Sequence, residues 1–424
     1  MQINKYPKVL IISNNAFSRT NNMGKALSEF FRDFPSSHLA QLYFHGGKPT
    51  SNVCNNYYSF SDKDALKSIL FRWNKGRKYK DEDFSSYNHK YFNSLVYRVG
   101  KQKHPIVLFA RDLIWKLSNV LNEKLLLWIE DFNPDVIFFA SGDYSFSYRI
   151  ALNISKKLAI PLTTCCFDDY YTNCVYSNKL FGKQYFNRFL KNSKLTIDYS
   201  KTLFVVSEKM KEQYDLMFLK KSIVLYIPTQ MNFSPETNKE RKGVCYLGGL
   251  GLGRSDSLIR LGKELIKYSK QIDGPIRVYS PVSDPAIIEK LNLGNGLQFM
   301  GSVDGNEVKT IISSSKAVIH VESFLSDSIK RTKLSISTKI SDSLGSGTLL
   351  LAFGPSELAS MEYLHKYNAA VVSNEPREIA NMLIECLNDN NKYYFFINNA
   401  LALAKQNHSN ESVTNNLVSG LTIK

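Results

Sequence analysis

The run Tyr246-Leu-Gly-Gly-Leu-Gly-Leu-Gly-Arg-Ser-Asp-Ser-Leu258 sets four glycines and an arginine between an apolar strand pattern and a helical one. Glycines let a backbone approach a ligand closely, the following helix offers free N–H groups to an anion, and Arg254 can fork onto a phosphate. Gly248, Gly249 and Arg254 therefore suit a diphosphate. They do not form a dinucleotide fingerprint, because no acidic residue follows at the required distance; a solvated glycine-rich turn is the plainer alternative. A second segment, STKISDSLGSGTLLL (337–351), places Lys339 and Asp342 three apart on one face of a helix that Thr338 would cap and Gly347 would end. The lysine can offset phosphate charge and the aspartate can accept from sugar hydroxyls, or the two form a surface ion pair.

Carboxylates after apolar runs are candidate general bases or sugar-hydroxyl acceptors. Asp168 and Asp169 follow one such run in FDDYY, and Asp143 follows VIFFA. For each aspartate the alternative is a strand-end or helix-cap role. His45 in FHGGKP reads as structural or solvated, His320 as core, and His408 as an anchor for the C-terminal segment. The six cysteines show no CxxC pair or Cys/His ligand spacing, so no metal site and a reduced, cytoplasmic chain are expected. Phe71-Arg-Trp-Asn-Lys-Gly-Arg-Lys-Tyr-Lys80 interleaves basic and aromatic residues. Arg72, Trp73, Lys75, Arg77, Lys78 and Lys80 could meet nucleic acid or an anionic membrane surface, where each Lys or Arg contributes about 1 kcal/mol. A charged solvated loop is the third possibility.

Alternating short apolar runs and amphipathic stretches position these residues, the pattern of βα units around parallel sheets. Strands are predicted at 9–13, 38–44, 136–140, 161–167 and 202–206, with helices at 24–34, 115–131 and 147–158. The pattern restarts with strands at 243–247, 276–280, 297–300, 317–321 and 348–353, separated by helices at 257–268, 285–291, 306–314 and 337–344. The polar stretch 229–242 reads as a linker. The predicted domains are 1–228, with an irregular insertion at about 60–110, and 243–395, followed by a crossover helix at 396–424. Two such α/β domains would face each other across a cleft lined by the loops after their strands.

Charge divides unevenly over the 424 residues: 33 basic and 19 acidic side chains fall in 1–230, against 21 and 19 in 231–424, so +14 of the net +16 lies in the first half. Val9–Ile12 is too short for a signal-peptide core, and no run approaches the roughly 18 apolar residues of a membrane span.

STKISDSLGSGTLLLAFGP (337–355) resembles the STK-x-x-E/D signature of bacterial GT-B glycosyltransferases, and YLGGLGLGR (246–254) resembles their donor loop. ISNNAFSRTNNMGKAL (12–27), PDVIFFA, FDDYY and KQNHSN (405–410) are similar to further motifs of that fold, in order and over nearly the whole chain. The family most closely resembled builds capsular or other surface polysaccharides. The resemblance implies two Rossmann-like domains and transfer from a nucleotide-diphosphate sugar, UDP- or GDP-linked, to a glycan acceptor on a lipid, with no metal, cofactor or nucleic acid. It places Gly248, Gly249, Arg254 and Lys339 on the diphosphate, Asp342 on the ribose, and Ser302 and Val303 at the base. Asn15, Asn22 and Gly24 would lie near sugar and pyrophosphate from the other wall. Retaining members carry two glutamates eight apart; here Asp342 is the second, Leu334 occupies the first position, and Glu322 is the candidate replacement. Gly345 stands where alanine is usual and Leu349 where proline is usual. A nucleotide-sugar 2-epimerase of the same fold, a non-catalytic scaffold and a basic nucleic-acid-binding protein are the rival readings.

Overall fold

The computed structural model describes residues 6–19, 22–71, 76–80, 104–173, 180–233 and 241–422. The chain forms two compact units, one of residues 1–206, 210–225 and 414–424, the other of 207–209 and 226–413.

The first unit is built on eight strands: β1 (Val9–Ser13), β2 (Leu39–Tyr43), β3 (Asn56–Ser59), β4 (Arg77–Lys80), β5 (Val136–Ser141), β6 (Leu162–Cys166), β7 (Thr202–Val205) and β8 (Ile223–Val224). Their order is β4-β3-β2-β1-β5-β6-β7-β8, all parallel except β4, which runs antiparallel to β3. β1, β2, β5 and β6 are buried at every position, as sheets covered on both faces require. Trp115 lies flat on Phe146, with ring centroids 4.1 Å apart, and Phe44 meets it edge-on at 5.3 Å. The C-terminal residues from Thr414 pack here: Thr202 Oγ1 donates to Gly420 O at 2.7 Å, and a Cβ at Gly420 would strike the Phe204 ring.

Two expectations change. The single helix at 115–131 is two, Pro105–Leu117 and Glu123–Phe132, because Asn122 starts the second by accepting from Leu125 N at 3.1 Å. Within the supposedly irregular 60–110 stretch, Asp62–Leu70 is a helix with a full capping box between Ser61 and Asp64. Arg72, Trp73 and Lys75 lie outside the described residues.

The second unit carries β9 (Val244–Leu247), β10 (Ile276–Tyr279), β11 (Leu297–Gly301), β12 (Ala317–Val321), β13 (Leu349–Phe353) and β14 (Val371–Ser373) in the parallel order β11-β10-β9-β12-β13-β14. From β9 the chain moves outward to β10 and β11, then returns to the other side of β9 with β12. Loops at such a reversal diverge and leave a crevice at the strands' carboxyl ends. In the first sheet the reversal lies between β1 and β5; in the second, between β9 and β12.

The helix predicted at 337–344 spans Ile340–Gly345, with Lys339 as its N-cap residue and no side-chain cap, so Thr338 does not cap it. Thr229 and Met231, read as linker, are 3% and 8% exposed in the second unit. Residues 234–240 lie outside the described part. Met231 Cβ and Thr229 Oγ1 would lie 3.1 and 2.9 Å from a Cβ at position 345, which explains the glycine there. Leu349 opens the buried β13, opposite Ala317 of β12.

Candidate functional site

β9 ends at Leu247, and the chain enters the glycine loop at the reversal point of the second sheet. Gly248 N donates to Tyr279 O at 2.9 Å and Tyr246 Oη donates to Gly249 O at 2.8 Å, which fixes the start of the loop. A Cβ at Gly248 would collide with the Lys339 ammonium, so this glycine makes room for the lysine. At Gly249 and Gly251 an added Cβ meets nothing within 4 Å, leaving open space above the loop. Gly253, at φ +78°, turns the chain into the helix Arg254–Leu265, and a Cβ there would sit 2.6 Å from both Ser323 Oγ and Leu325 Cδ1. Only glycine meets both demands, of backbone and of space.

Arg254 therefore starts its helix beside the end of β12. Its Nε and NH2 nitrogens donate to Glu322 Oε2 at 3.2 and 2.9 Å, while His320 Nε2 lies 3.1 Å from Oε1, off the line of a well-formed hydrogen bond. The Glu322 side chain is 3% exposed and that of Arg254 21%. Gly354 keeps that space open, since a Cβ on it would come within 2.9 Å of Glu322 Cβ. Burial pushes the Glu322 carboxyl up, but His320 and Arg254 outweigh it and hold the group below the usual glutamate value.

Lys339 as a residue is exposed, yet its ammonium is tucked under Gly248. Desolvation and the Arg254 charge, opposed by Glu322, lower its pKa to about 8. Arg254, Lys339 and one carboxylate thus stand around an open glycine loop with a surplus of one positive charge when the lysine is protonated. Such a site attracts and orients a polyanion.

The other candidates fall in distinct places. Asp342 is half-buried, and its Oδ1 accepts from Thr229 Oγ1 at 2.9 Å and Gln230 N at 3.0 Å; the aspartate holds the 229–231 segment and does not pair with Lys339. Ser302 and Val303 follow β11, two strands and about 10 Å across the sheet from β9. Leu334, eight before Asp342, is a core residue at 2% exposure.

In the first unit, Asn15 lies in the loop after β1, whose course Gln41 fixes by donating to Ser13 Oγ and Asn15 O and accepting from Phe17 N. Gly24 packs against that loop, with Ser18 N donating to its carbonyl at 3.1 Å and Ser18 Cβ 2.8 Å from where a Cβ would be. Asn22 begins the adjoining helix Asn22–Phe30. Asp168 and Asp169 differ sharply. Asp169 is 4% exposed and engaged by Thr172 and by Tyr214 Oη, which makes it an organiser of its own loop; Asp168 is exposed and accepts from Tyr170 Oη at 3.1 Å. Asp143 also lies at this rim, its carbonyl accepting from Tyr185 Oη at 2.8 Å. His45 Nδ1 accepts from Gly47 N, and His408, buried between Ile227 O at 2.8 Å and Tyr363 Oη at 3.0 Å, is pushed down to about 4 by desolvation. Arg77, Lys78 and Lys80 sit on the edge strand β4, the first two exposed.

Sequence reasoning missed the partnership of His320 with Glu322 and the role of Thr229. The first had a signal, since residues two apart at the end of a strand share a face. The second had none, because Thr229 and Asp342 meet only through the fold.

Among the described residues no group of three His, Cys, Asp or Glu is placed to hold a metal ion, and no helix is long and apolar enough to cross a membrane. No protein-family model and no curated protein matches the chain. Solved structures do. HepE from Anabaena in complex with UDP is similar at 12% identity and a TM-score of 0.61, over 98% of this chain and 99% of that one. A mutant of S. aureus TarM in complex with fondaparinux, α-GlcNAc-glycerol and UDP is similar at 10% identity and 0.61, over 98% and 100%. The UDP-forming α,α-trehalose-phosphate synthase of Burkholderia xenovorans in complex with glucose-6-phosphate is similar at 8% and 0.61, over 97% and 99%. At these identities the likeness is one of fold, and the chain has the two-domain α/β fold of GT-B glycosyltransferases.

Proposed function

We propose that this protein is a glycosyltransferase that moves a sugar from a nucleotide-diphosphate sugar, UDP- or GDP-linked, to a glycan acceptor carried on a lipid, in the synthesis of a surface polysaccharide such as a capsule. The observation that carries the reading is the meeting of Arg254 and Lys339 beside an open glycine loop at the reversal point of the second sheet.

In this reading Gly248 and Gly249 let the diphosphate approach the backbone, and Arg254 and Lys339 stabilise the charge that grows on it as the sugar departs. Glu322 and His320 hold Arg254 in place. Ser302 and Val303 take the base, and the second carboxylate oxygen of Asp342 takes the ribose. Asn15 and Gly24 are the first unit's candidates for contacting the sugar, and there exposed Asp168, rather than Asp169, is the better base toward an acceptor hydroxyl, with Asp143 as its neighbour. No metal or cofactor takes part, so chelation by EDTA should leave turnover intact. The basic first half, with Arg72, Trp73, Lys75, Arg77, Lys78 and Lys80, would rest on the cytoplasmic face of an anionic membrane.

Thermal-shift titration with UDP, GDP and their sugars tests the donor assignment. The cognate nucleotide at a hundred times its Kd should stabilise the protein by about 2.7 kcal/mol. Silence from every nucleotide contradicts the reading.

A further inference from the structure

Two neighbouring helices of the first unit turn apolar side chains outward. Helix Asp62–Leu70 buries Ala65 and Ser68 and leaves Leu66 and Leu70 50% and 71% exposed, leading into Phe71 at 51%. Helix Pro105–Leu117 buries Leu108, Asp112 and Trp115, while Ile106, Leu113 and Leu117 are 40%, 41% and 62% exposed. Positions 66 and 70, and 106, 113 and 117, recur at helical spacing, so each set forms one stripe. The helices lie side by side, joined by Arg111 Nε and Trp115 Nε1, which both donate to Asp62 Oδ1 at 2.7 and 2.6 Å, and by Asn119 N, which donates to Ser68 Oγ at 3.1 Å.

Charge on the pair is sorted. Asp62 is held by Arg111, Asp64 is engaged in the capping box, and Asp112 is 2% exposed, whereas Lys63, Lys67 and Lys116 are exposed. Arg77 and Lys78 are likewise exposed, on the edge strand β4. Water alone does not favour an outward apolar stripe, and a contiguous one marks an interaction surface. Leucines bordered by lysines match a leaflet that offers hydrocarbon below and anionic head groups at its surface.

We infer that the face made by helices Asp62–Leu70 and Pro105–Leu117 seats the protein in the interfacial layer of an anionic bilayer, with Leu66, Leu70, Phe71, Ile106, Leu113 and Leu117 as the inserted side chains. This deepens the membrane part of the proposed function and rests on it, but it needs neither donor nor acceptor to be tested.

The test is co-sedimentation of the full chain with vesicles of phosphatidylglycerol and phosphatidylcholine, against phosphatidylcholine alone. The wild type should bind the anionic vesicles, less at high salt. Leu70→Glu and Leu117→Glu, at well-exposed positions, should keep the wild-type melting temperature and its nucleotide response, yet lower vesicle affinity at least tenfold. Lys63→Glu with Lys67→Glu should remove most of the salt-sensitive part. Wild-type binding that the leucine variants retain overturns the inference, as does a wild type that ignores the vesicles. A dimer in sedimentation velocity that Leu117→Glu dissociates also overturns it, by assigning the face to a second copy. Should every nucleotide be silent while the leucine variants lose the vesicles, the donor reading falls and this inference stands.

Discussion

Arg254 is tied to buried Glu322 and, in the proposed function, also meets the donor diphosphate, and the two roles can be separated. Arg254→Ala strands the Glu322 carboxylate in a buried position, a loss of about 3 kcal/mol, and removes a charge from the departing diphosphate, a loss of about a hundredfold in kcat. Adding Glu322→Gln should restore most of the melting temperature without restoring turnover; recovery of both would reduce Arg254 to a structural part. The pH dependence follows from the direction of the Glu322 shift. Its folded-state pKa lies below the ordinary 4.5, so its stabilisation is present above that value and is lost as pH falls through the folded one. The gap in stability between wild type and Glu322→Gln, followed by denaturant melts, should hold at neutral pH and close in acid. Lys339 acts in the other direction on binding. With a free-site pKa of about 8, it must take up a proton to meet a diphosphate at higher pH. Nucleotide affinity should therefore fall between pH 7 and 9 in calorimetry, and Lys339→Met should flatten that slope. Arg254 and Lys339 were legible in the sequence, because glycines, a cation and a helix start are local signals. The partner that fixes Arg254 was named only as a candidate carboxylate: residues 254 and 322 come together through the pairing of β9 with β12, which no local pattern encodes.

At the scale of elements, the short helix Ile340–Gly345 depends on the close passage of Thr229 and Met231. Gly345→Ala should cost about 1–3 kcal/mol through overpacking, read as a lower melting temperature. Gly253→Ala combines a positive φ with two contacts of 2.6 Å and should cost at least as much, while Gly249→Ala, facing open space, should leave stability unchanged and weaken nucleotide binding. Equal effects at 249 and 253 would contradict the division between a ligand-facing and a structural glycine. Most strands were legible because buried parallel strands are short, uninterrupted apolar runs such as VLIIS and VIFFAS. The helices were less so. The 115–131 stretch keeps apolar residues at helical spacing on both sides of its break, and the capping of Asn122 reveals where the second helix starts; Thr338 offered a cap to a helix that begins beyond it.

For the whole molecule, the second unit carries the cation pair, and residues 1–230 carry most of the net charge, +14 of +16. Hydrogen exchange with bound nucleotide should slow in the 246–254 loop and the segments around 322 and 339. The fold was legible from the repeated strand-helix pattern, whereas the apolar faces of helices Asp62–Leu70 and Pro105–Leu117 were hidden, since exposure is a property of packing. The most direct test of the central claim is calorimetric titration of the full chain and of Arg254→Ala with UDP and GDP. The wild type should bind one of them at a single site, and the variant at least tenfold more weakly. Equal affinity in the two proteins, or no binding of either nucleotide to the wild type, would contradict a donor-diphosphate site at Arg254 and Lys339.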